Sequence, residues 1–554
     1  MRTPALGLVA AFALAVPLAA TAAPADLVIW GGPIYTAVDA HPKAEAVAVS
    51  HGRIAFVGGR AGAQALVGPK TRVIDLKGAA LFPGFTDSHA HLREIGEREL
   101  TLNLEGSKSA AEVAQRLKAW IAGHAGTDAV VGGGWIETGW PEGRFLQRSD
   151  IDPVSGGIPV LLRRADGHAV VANSAALRAA HIDESTPAPA GGQILKGSDG
   201  KLTGMLVDNA MGLLGPSRRP GTGVDPTAAL KAAFRVETAY GWTGVHSMSV
   251  AWSDVPLLEA MDKRGEAPLR VYNMVDAAQA GPLFASGPRA TPDGRITTRG
   301  IKLYMDGALG SRGAALFAPY SDAPGLRGTF VTEPAVMRPI LAKALAKGLQ
   351  VSTHAIGDRG NATALDLYEE AFRASPAAGK AARWRIEHAQ ILRPADIPRF
   401  HADAVIASMQ PSHAIGDFHF AKARLGAERL KGAYAWKSLL RSGAVVVGGS
   451  DAPVERGAPL IEFYAAVARK DLKGYSDADW HPEEKLSRAE ALKLFTSSAA
   501  YARFAEHDLG SISVGKRADL SGFSVDLMTA PEAAIPKGHA VLTVVDGQVV
   551  YDKR

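Results

Sequence analysis

The chain runs to 554 residues, 47% hydrophobic with 60 glycines and 33 prolines, the profile of a globular, loop-rich α/β protein. Lys and Arg exceed Asp and Glu by only 61 − 56 = 5 with no dense basic block, which leaves no electrostatic case for nucleic acid as a partner. Cysteine is absent, so disulfides, thiolate nucleophiles and Cys-ligated zinc are excluded, and any metal must rest on His, carboxylate or a rarer ligand.

Residues 1–22 read as a secretory leader. Arg2 precedes an apolar run, and Ala20-Thr21-Ala22 forms a small-residue cleavage site before Ala23, with Pro17 arguing against an uncleaved anchor. No later segment holds the ~18 uninterrupted apolar residues a spanning helix needs. The mature chain is therefore expected to be exported, in a bacterium to the periplasm, with no membrane contact after cleavage.

Residues 23–82 hold short alternating runs with Gly-rich turns, "DLVIWGGPIYT", "AVAVSHGRIAFVGG" and "TRVIDLKGAALFPG", the pattern of a small antiparallel sheet. Residues 505–554 repeat that style in "GSISVGKRADLSGFSVD" and "AVLTVVDGQVVYDKR". The two pieces are expected to form one discontinuous β-sandwich domain that brings the chain ends together.

At residues 81–92, "LFPGFTDSHAHL", Asp87, His89 and His91 fall on alternate positions and so share one face of a strand. A lone His-x-His is usually innocent. Partners elsewhere decide its meaning. Strand-like runs then alternate with helical ones: "TGVHSMSV", "LRVYNMV", "GIKLYMDG", "LQVSTHAIGD", "WRIEHAQIL", "AVIASMQPSH" and "AVVVGGSDAPV". With the strand ending at His91 these make eight, which predicts a (β/α)8 barrel over residues 83–504. An open doubly wound sheet is the rival, but no Gly-x-Gly-x-x-Gly loop follows any strand. About 150 residues separate His91 from the second strand, so residues 93–225 are expected to be an insertion over the active-site face.

Candidate ligands now accumulate at strand ends. His354, His388 and Asp451 each end an apolar run, and Lys302 lies inside a strand expected to be buried on both faces. Any one alone reads as a core histidine, a turn or a cap. Their joint position on the face where barrels do chemistry points to a metal site.

These residues resemble the metal-dependent amidohydrolases, most closely amidohydrolase family 3, the branch that contains N-substituted formamide deformylases. The carriers are "PGFTDSHAHL", "RADGHAVVANSAAL", "IKLYMDGALGSRGAAL", "HAIGDRGNATALDLYEEAF", "RIEHAQIL", "SMQPSH", "GSDAPVE" and "GSISVGKRADL", which span nearly all of the chain after the leader. The resemblance implies that His89 and His91 bind the more buried metal and that Lys302, N-carboxylated, bridges two ions. It implies that His354 and His388 bind the second metal, and that Asp451 contacts the first metal and the attacking water. A nitrogen- and oxygen-rich site suits Zn²⁺, with Mn²⁺ or Fe²⁺ behind it, at one or two ions per chain. If Lys302 instead pairs with an acid such as Asp306, the site is mononuclear.

The expected reaction is hydrolysis of an amide-type C–N bond in a small molecule by metal-bound hydroxide. Asp451 is the expected proton shuttle, and His413 and His168 are candidate donors to the oxyanion. Asp87 is expected to orient the first strand or a ligand imidazole, and Asp358 and Arg359 to hold their loop. Trp135, Trp140 and Phe145 in the insertion are candidates for an apolar wall against an N-substituent. Cyclic amides, lactones or other esters are the rival substrates on the same site. A non-catalytic periplasmic binding protein on a decayed barrel is the third reading, disfavoured because all six ligand positions are filled. Oligomeric state, including a homodimer, stays open.

Overall fold

A computed structural model describes residues 23–215, 223–477 and 479–554. The leader assigned to residues 1–22 lies outside the described residues. Eight parallel strands form the central barrel. They are β1 (Phe85–Ala90), β2 (Trp242–Val250), β3 (Arg270–Asp276), β4 (Ile296–Tyr304), β5 (Gln350–Ala355), β6 (Arg385–His388), β7 (Ile406–Met409) and β8 (Val446–Gly448). All are largely buried, polar residues such as Asp87, Arg385 and Glu387 included, as strands of a parallel sheet covered on both faces should be.

Strands β1 to β8 pair in sequence order. Closure comes just past the strand ends, where Asp451 N donates to His89 O at 2.7 Å and His91 N to Ala452 O at 2.8 Å. A Cβ on Gly449 would lie 2.4 Å from His89 N, so only glycine lets the segment after β8 approach β1 this closely. Asp87 ties the same seam, accepting from His89 N and Ser450 N at 3.0 Å each and from Ser450 Oγ at 2.5 Å.

The barrel floor is sealed by aromatics. Phe85 stacks on Phe495 with ring centroids 5.8 Å apart and meets Phe523 edge-on at 5.2 Å, with Trp242 beside them. Truncating a buried Phe to Ala costs about 3–5 kcal/mol, so Phe85 anchors the end opposite the chemistry. Phe523 belongs to the small β domain. There the strands Leu27–Tyr35, Lys43–Ser50, Arg53–Gly58, Arg72–Asp75 and Ala80–Pro83 join Leu520–Phe523, Ala540–Val545 and Gln548–Asp552 in one eight-stranded sheet. Its core is built from both chain ends, including Ile29, Val47, Ile74, Leu520 and Leu542.

After β1 the helix Leu92–Leu100 leads into a six-stranded sheet spanning Leu102 to Asp208. This insertion has its own core of Val113, Leu117, Trp135, Trp140, Leu146 and Leu162, with Phe145 packed against it. Trp135 Nε1 donates to Leu162 O at 2.9 Å and Trp140 Nε1 to Ser107 O at 2.7 Å. The expectation of an aromatic substrate wall is corrected: these rings stabilise the insertion, because a large separate sheet needs large apolar side chains of its own.

Candidate metal centre

The six predicted ligands converge at the C-terminal mouth of the barrel. His89 Nε2 and His91 Nε2 lie 3.3 and 3.1 Å from Asp451 Oδ1, and His413 Nε2 lies 3.2 Å from Asp451 Oδ2. Two triads, His89–His91–Asp451 and His388–His413–Asp451, each bring their donor atoms within 4.8 Å of one another. The rings form a continuous row, with His168 to His354 at 4.9 Å, His354 to His388 at 4.5 Å and His388 to His89 at 4.9 Å between centroids. His413 lies beside this row, 5.8 Å from His388.

This donor set fits a divalent cation. His89 Nε2, His354 Nε2 and Asp451 Oδ1 are buried without hydrogen-bond partners among the described residues, which is costly unless a metal completes them. Burial holds His354 and His388 well below the ordinary imidazole value and therefore neutral, as metal ligation requires. Burial alone would raise the Asp451 carboxyl, but His89, His413 and His91 around it hold it well below its usual range.

Lys302 Nζ lies 4.8 Å from the Tyr304 ring centroid, and among the described residues it makes no hydrogen bond or ion pair. Burial lowers its pKa, against the opposing pull of Glu387 and Asp451. The rival pairing with Asp306 is not formed. Asp306 accepts instead from three backbone amides, of Ala315, Ile356 and Gly357, at 2.8 to 2.9 Å, and burial pushes its carboxyl to about 7. Asp358 accepts from Phe317 N at 3.0 Å and Arg359 lies over the Phe330 ring, so both brace the loop after β5.

Several supporting groups were not singled out from the sequence. Glu387 accepts from His89 Nδ1 at 2.6 Å, both side chains fully buried, which leaves His89 Nε2 for a metal. Arg385 pairs with Glu387, its Nε 2.8 Å from one carboxylate oxygen and its Nη2 donating to the other at 3.0 Å, and it also donates to Ser88 O, Ser408 Oγ and His246 Nδ1. Burial alone would raise Glu387, but Arg385 and His89 outweigh it and keep the carboxyl far below its ordinary value. The readable signal was Arg385-x-Glu387, two charges on one face of a buried strand. His388 then adopts φ +70°, which breaks strand alternation and lets adjacent residues both serve the site.

His168 reaches the row from the insertion, with Nδ1 2.7 Å from Asp208 Oδ1. His413 has both nitrogens engaged, by Asp451 and by Glu455 at 3.0 Å, and these two acids raise it well above the usual value although burial opposes them. A cavity of about 720 Å³ opens above the ligands, lined by His91, Lys302, His354, His388 and Asp451 and by Met211, Leu214 and Met248 further out. Two arginines of its lining are paired, Arg163 with Glu94 at 2.5 Å and Arg93 with Glu97 at 2.8 Å.

Comparison with known proteins bears on the same centre. The model of the amidohydrolase family matches residues 72–551. The chain is 34% identical over 536 residues to the putative amidohydrolase YtcJ of Bacillus subtilis, covering 95% of this chain and 99% of that one. It is 27% identical over 543 residues to the N-substituted formamide deformylase of Arthrobacter pascens, covering 95% and 98%. Among solved structures, a metal-dependent hydrolase from Pyrococcus horikoshii superposes with a TM-score of 0.74 at 28% identity, over 91% of this chain and 99% of that one. A barrel with imidazole and carboxylate side chains gathered at its mouth, several of their buried polar atoms left without hydrogen bonds, matched by the family model over most of its length, identifies the chain as a member of the amidohydrolase family and a metal-dependent hydrolase.

Proposed function

We propose that the protein hydrolyses a non-peptide C–N bond in a small amide, with N-formyl and N-acyl amides as the leading class. The observation that carries this reading is the set of buried, unpartnered donor atoms on His89, His354 and Asp451 beneath an open cavity. The formamide deformylase of Arthrobacter pascens adds support for the N-formyl class. His89, His91 and Asp451 would hold one ion, and His354, His388 and a carboxylated Lys302 a second, with zinc the best match to the donors. A bound divalent metal supplies Lewis acidity, polarising the carbonyl and lowering the pKa of water from 15.7 to about 7.

The chain's own groups do the remaining work. Asp451 accepts the proton of the attacking water and returns it to the leaving amine. His413, with both nitrogens engaged, holds Asp451 in place. Against the effect of burial, Asp208 raises His168 and so favours its imidazolium form, whose Nε2–H, without a partner among the described residues, donates to the carbonyl oxygen as charge develops there. Burial favours the neutral amine of Lys302, the form that takes up carbon dioxide to give a carbamate and a proton. Residues 1–22 direct export of the chain to the periplasm, and the mass of the mature protein tests cleavage before Ala23.

The test is turnover of a panel of N-formyl, N-acyl and cyclic amides, lactones and esters by zinc-reconstituted protein, with His89→Ala as control. N-formyl or N-acyl amides should turn over fastest, and His89→Ala should lose both metal and activity. Activity confined to lactones or esters, or full activity in metal-free His89→Ala, overturns the reading.

A further inference from the structure

Asp208 ends the strand Leu202–Asp208 of the insertion with φ +49° and ψ −125°, outside the regions that L-residues ordinarily occupy. Such strain persists where the surroundings over-determine it, and functional sites are where it collects. The surroundings here are specific. Asp208 Oδ1 accepts from His168 Nδ1 at 2.7 Å, and Asp208 N donates to His168 O at 2.9 Å across the antiparallel pair. Oδ2 is buried and makes no hydrogen bond among the described residues.

The barrel receives that carboxylate on bare backbone. A Cβ on Gly307 or Gly313, both in the segment after β4, would lie 2.6 or 2.5 Å from Asp208 Oδ2. Any side chain at either position would drive the carboxylate out. Thus the insertion supplies the His168–Asp208 pair, and two glycines of the barrel fix where that pair sits. The result is an imidazole that lines the cavity, its second nitrogen without a hydrogen-bond partner among the described residues and its ring 4.9 Å from that of His354.

We propose that Asp208 is a positioning residue: seated against Gly307 and Gly313, it fixes the His168 ring with Nε2–H aimed at the reacting carbonyl, so that the docked insertion completes the catalytic centre. The proposal rests on the reading that His168 donates to the developing oxyanion. A donor aimed at charge that forms during the reaction acts on kcat more than on KM. Asp208 should therefore act on kcat, and only through His168. A purely architectural ion pair would behave differently, loosening the insertion whether or not His168 is present.

The experiment is a double-mutant cycle on the full-length zinc enzyme with N-benzylformamide, or whichever panel amide turns over fastest. His168→Gln should lower kcat on the order of 10²-fold. Asp208→Asn, which keeps the shape but not the charge, should lower kcat at least 10-fold, with KM within about 3-fold and zinc content unchanged. The double variant should be no slower than His168→Gln alone. Gly313→Ala approaches the same pair from the barrel side, should repeat the kcat loss, and should add nothing in the His168→Gln background; it carries the test if Asp208→Asn fails to fold. Multiplying losses, with a raised KM and a lowered melting temperature, overturn the positioning role. A wild-type rate in Asp208→Asn beside a slow His168→Gln overturns it alone, whereas a wild-type rate in His168→Gln overturns the catalytic reading of His168 as well.

Discussion

Glu387→Gln probes the deepest support of the centre, because one buried carboxylate serves two partners. Glutamine keeps the volume and an acceptor oxygen for His89 Nδ1, now 2.6 Å from Glu387 Oε2, but removes the charge that faces Arg385 Nε at 2.8 Å. Arg385 is then a buried cation with only neutral acceptors, Ser88 O, Ser408 Oγ and His246 Nδ1. Breaking a buried pair by removing one partner costs about 3–5 kcal/mol. Those three acceptors place the expected loss near the lower end. The effect on the metal is separate. Losing the partner behind a ligating imidazole typically costs 10–100-fold in affinity, and the retained acceptor again favours ~10-fold, or about 1.4 kcal/mol. The urea midpoint of metal-free protein reads the first effect, and chelator competition for zinc reads the second. Adding Arg385→Met removes the orphaned cation, so the double variant should recover the midpoint while zinc binding stays weak. An unchanged midpoint together with unchanged zinc affinity in Glu387→Gln refutes the reasoning.

Lys302→Ala should lose activity and one of two metals, with partial rescue by propionate and added zinc; a fully active Lys302→Arg rejects the carbamate, since guanidinium does not take up carbon dioxide in this way. Asp451→Asn keeps the shape that sits 3.1 to 3.3 Å from His91, His413 and His89 but removes the basic carboxylate. It should keep much of its metal and lose on the order of 10² in kcat, whereas near-native turnover rejects Asp451 as the proton shuttle. Both oxygens of Glu237 are buried without partners among the described residues, and burial pushes this carboxyl well above its ordinary 4.5. A raised carboxyl contributes stability below its unfolded value and loses it as pH rises through the folded one, at up to about 1.4 kcal/mol per pH unit. Glu237→Gln should therefore flatten the decline of the urea midpoint above pH 5, and identical declines in both proteins reject the assignment.

The barrel was legible because short strand-like segments with apolar residues recur between helical ones, several of them ending in chemistry, as strands of a parallel sheet covered on both faces do. His89 and His91 were legible for a local reason: residues two apart share a strand face, so the spacing alone places them together. His354, His388 and Asp451 could be read only jointly, since each sits alone on its strand and meaning came from the repeated position at strand ends. What stayed hidden was set by register and by exceptions to alternation. Glu387 precedes His388 and should face the other way, but the positive φ at His388 turns both toward the site. Trp135 and Trp140 carry no positional mark that separates a pocket wall from a core, and only the insertion's own sheet decides between them. His168 and Asp208 lie 40 residues apart and meet because Ala169 pairs with Val207. A slip of one residue in that pairing would turn the two side chains to opposite faces. Contacts within a strand can thus be read from spacing, whereas contacts made across strands wait on the register of the sheet that carries them.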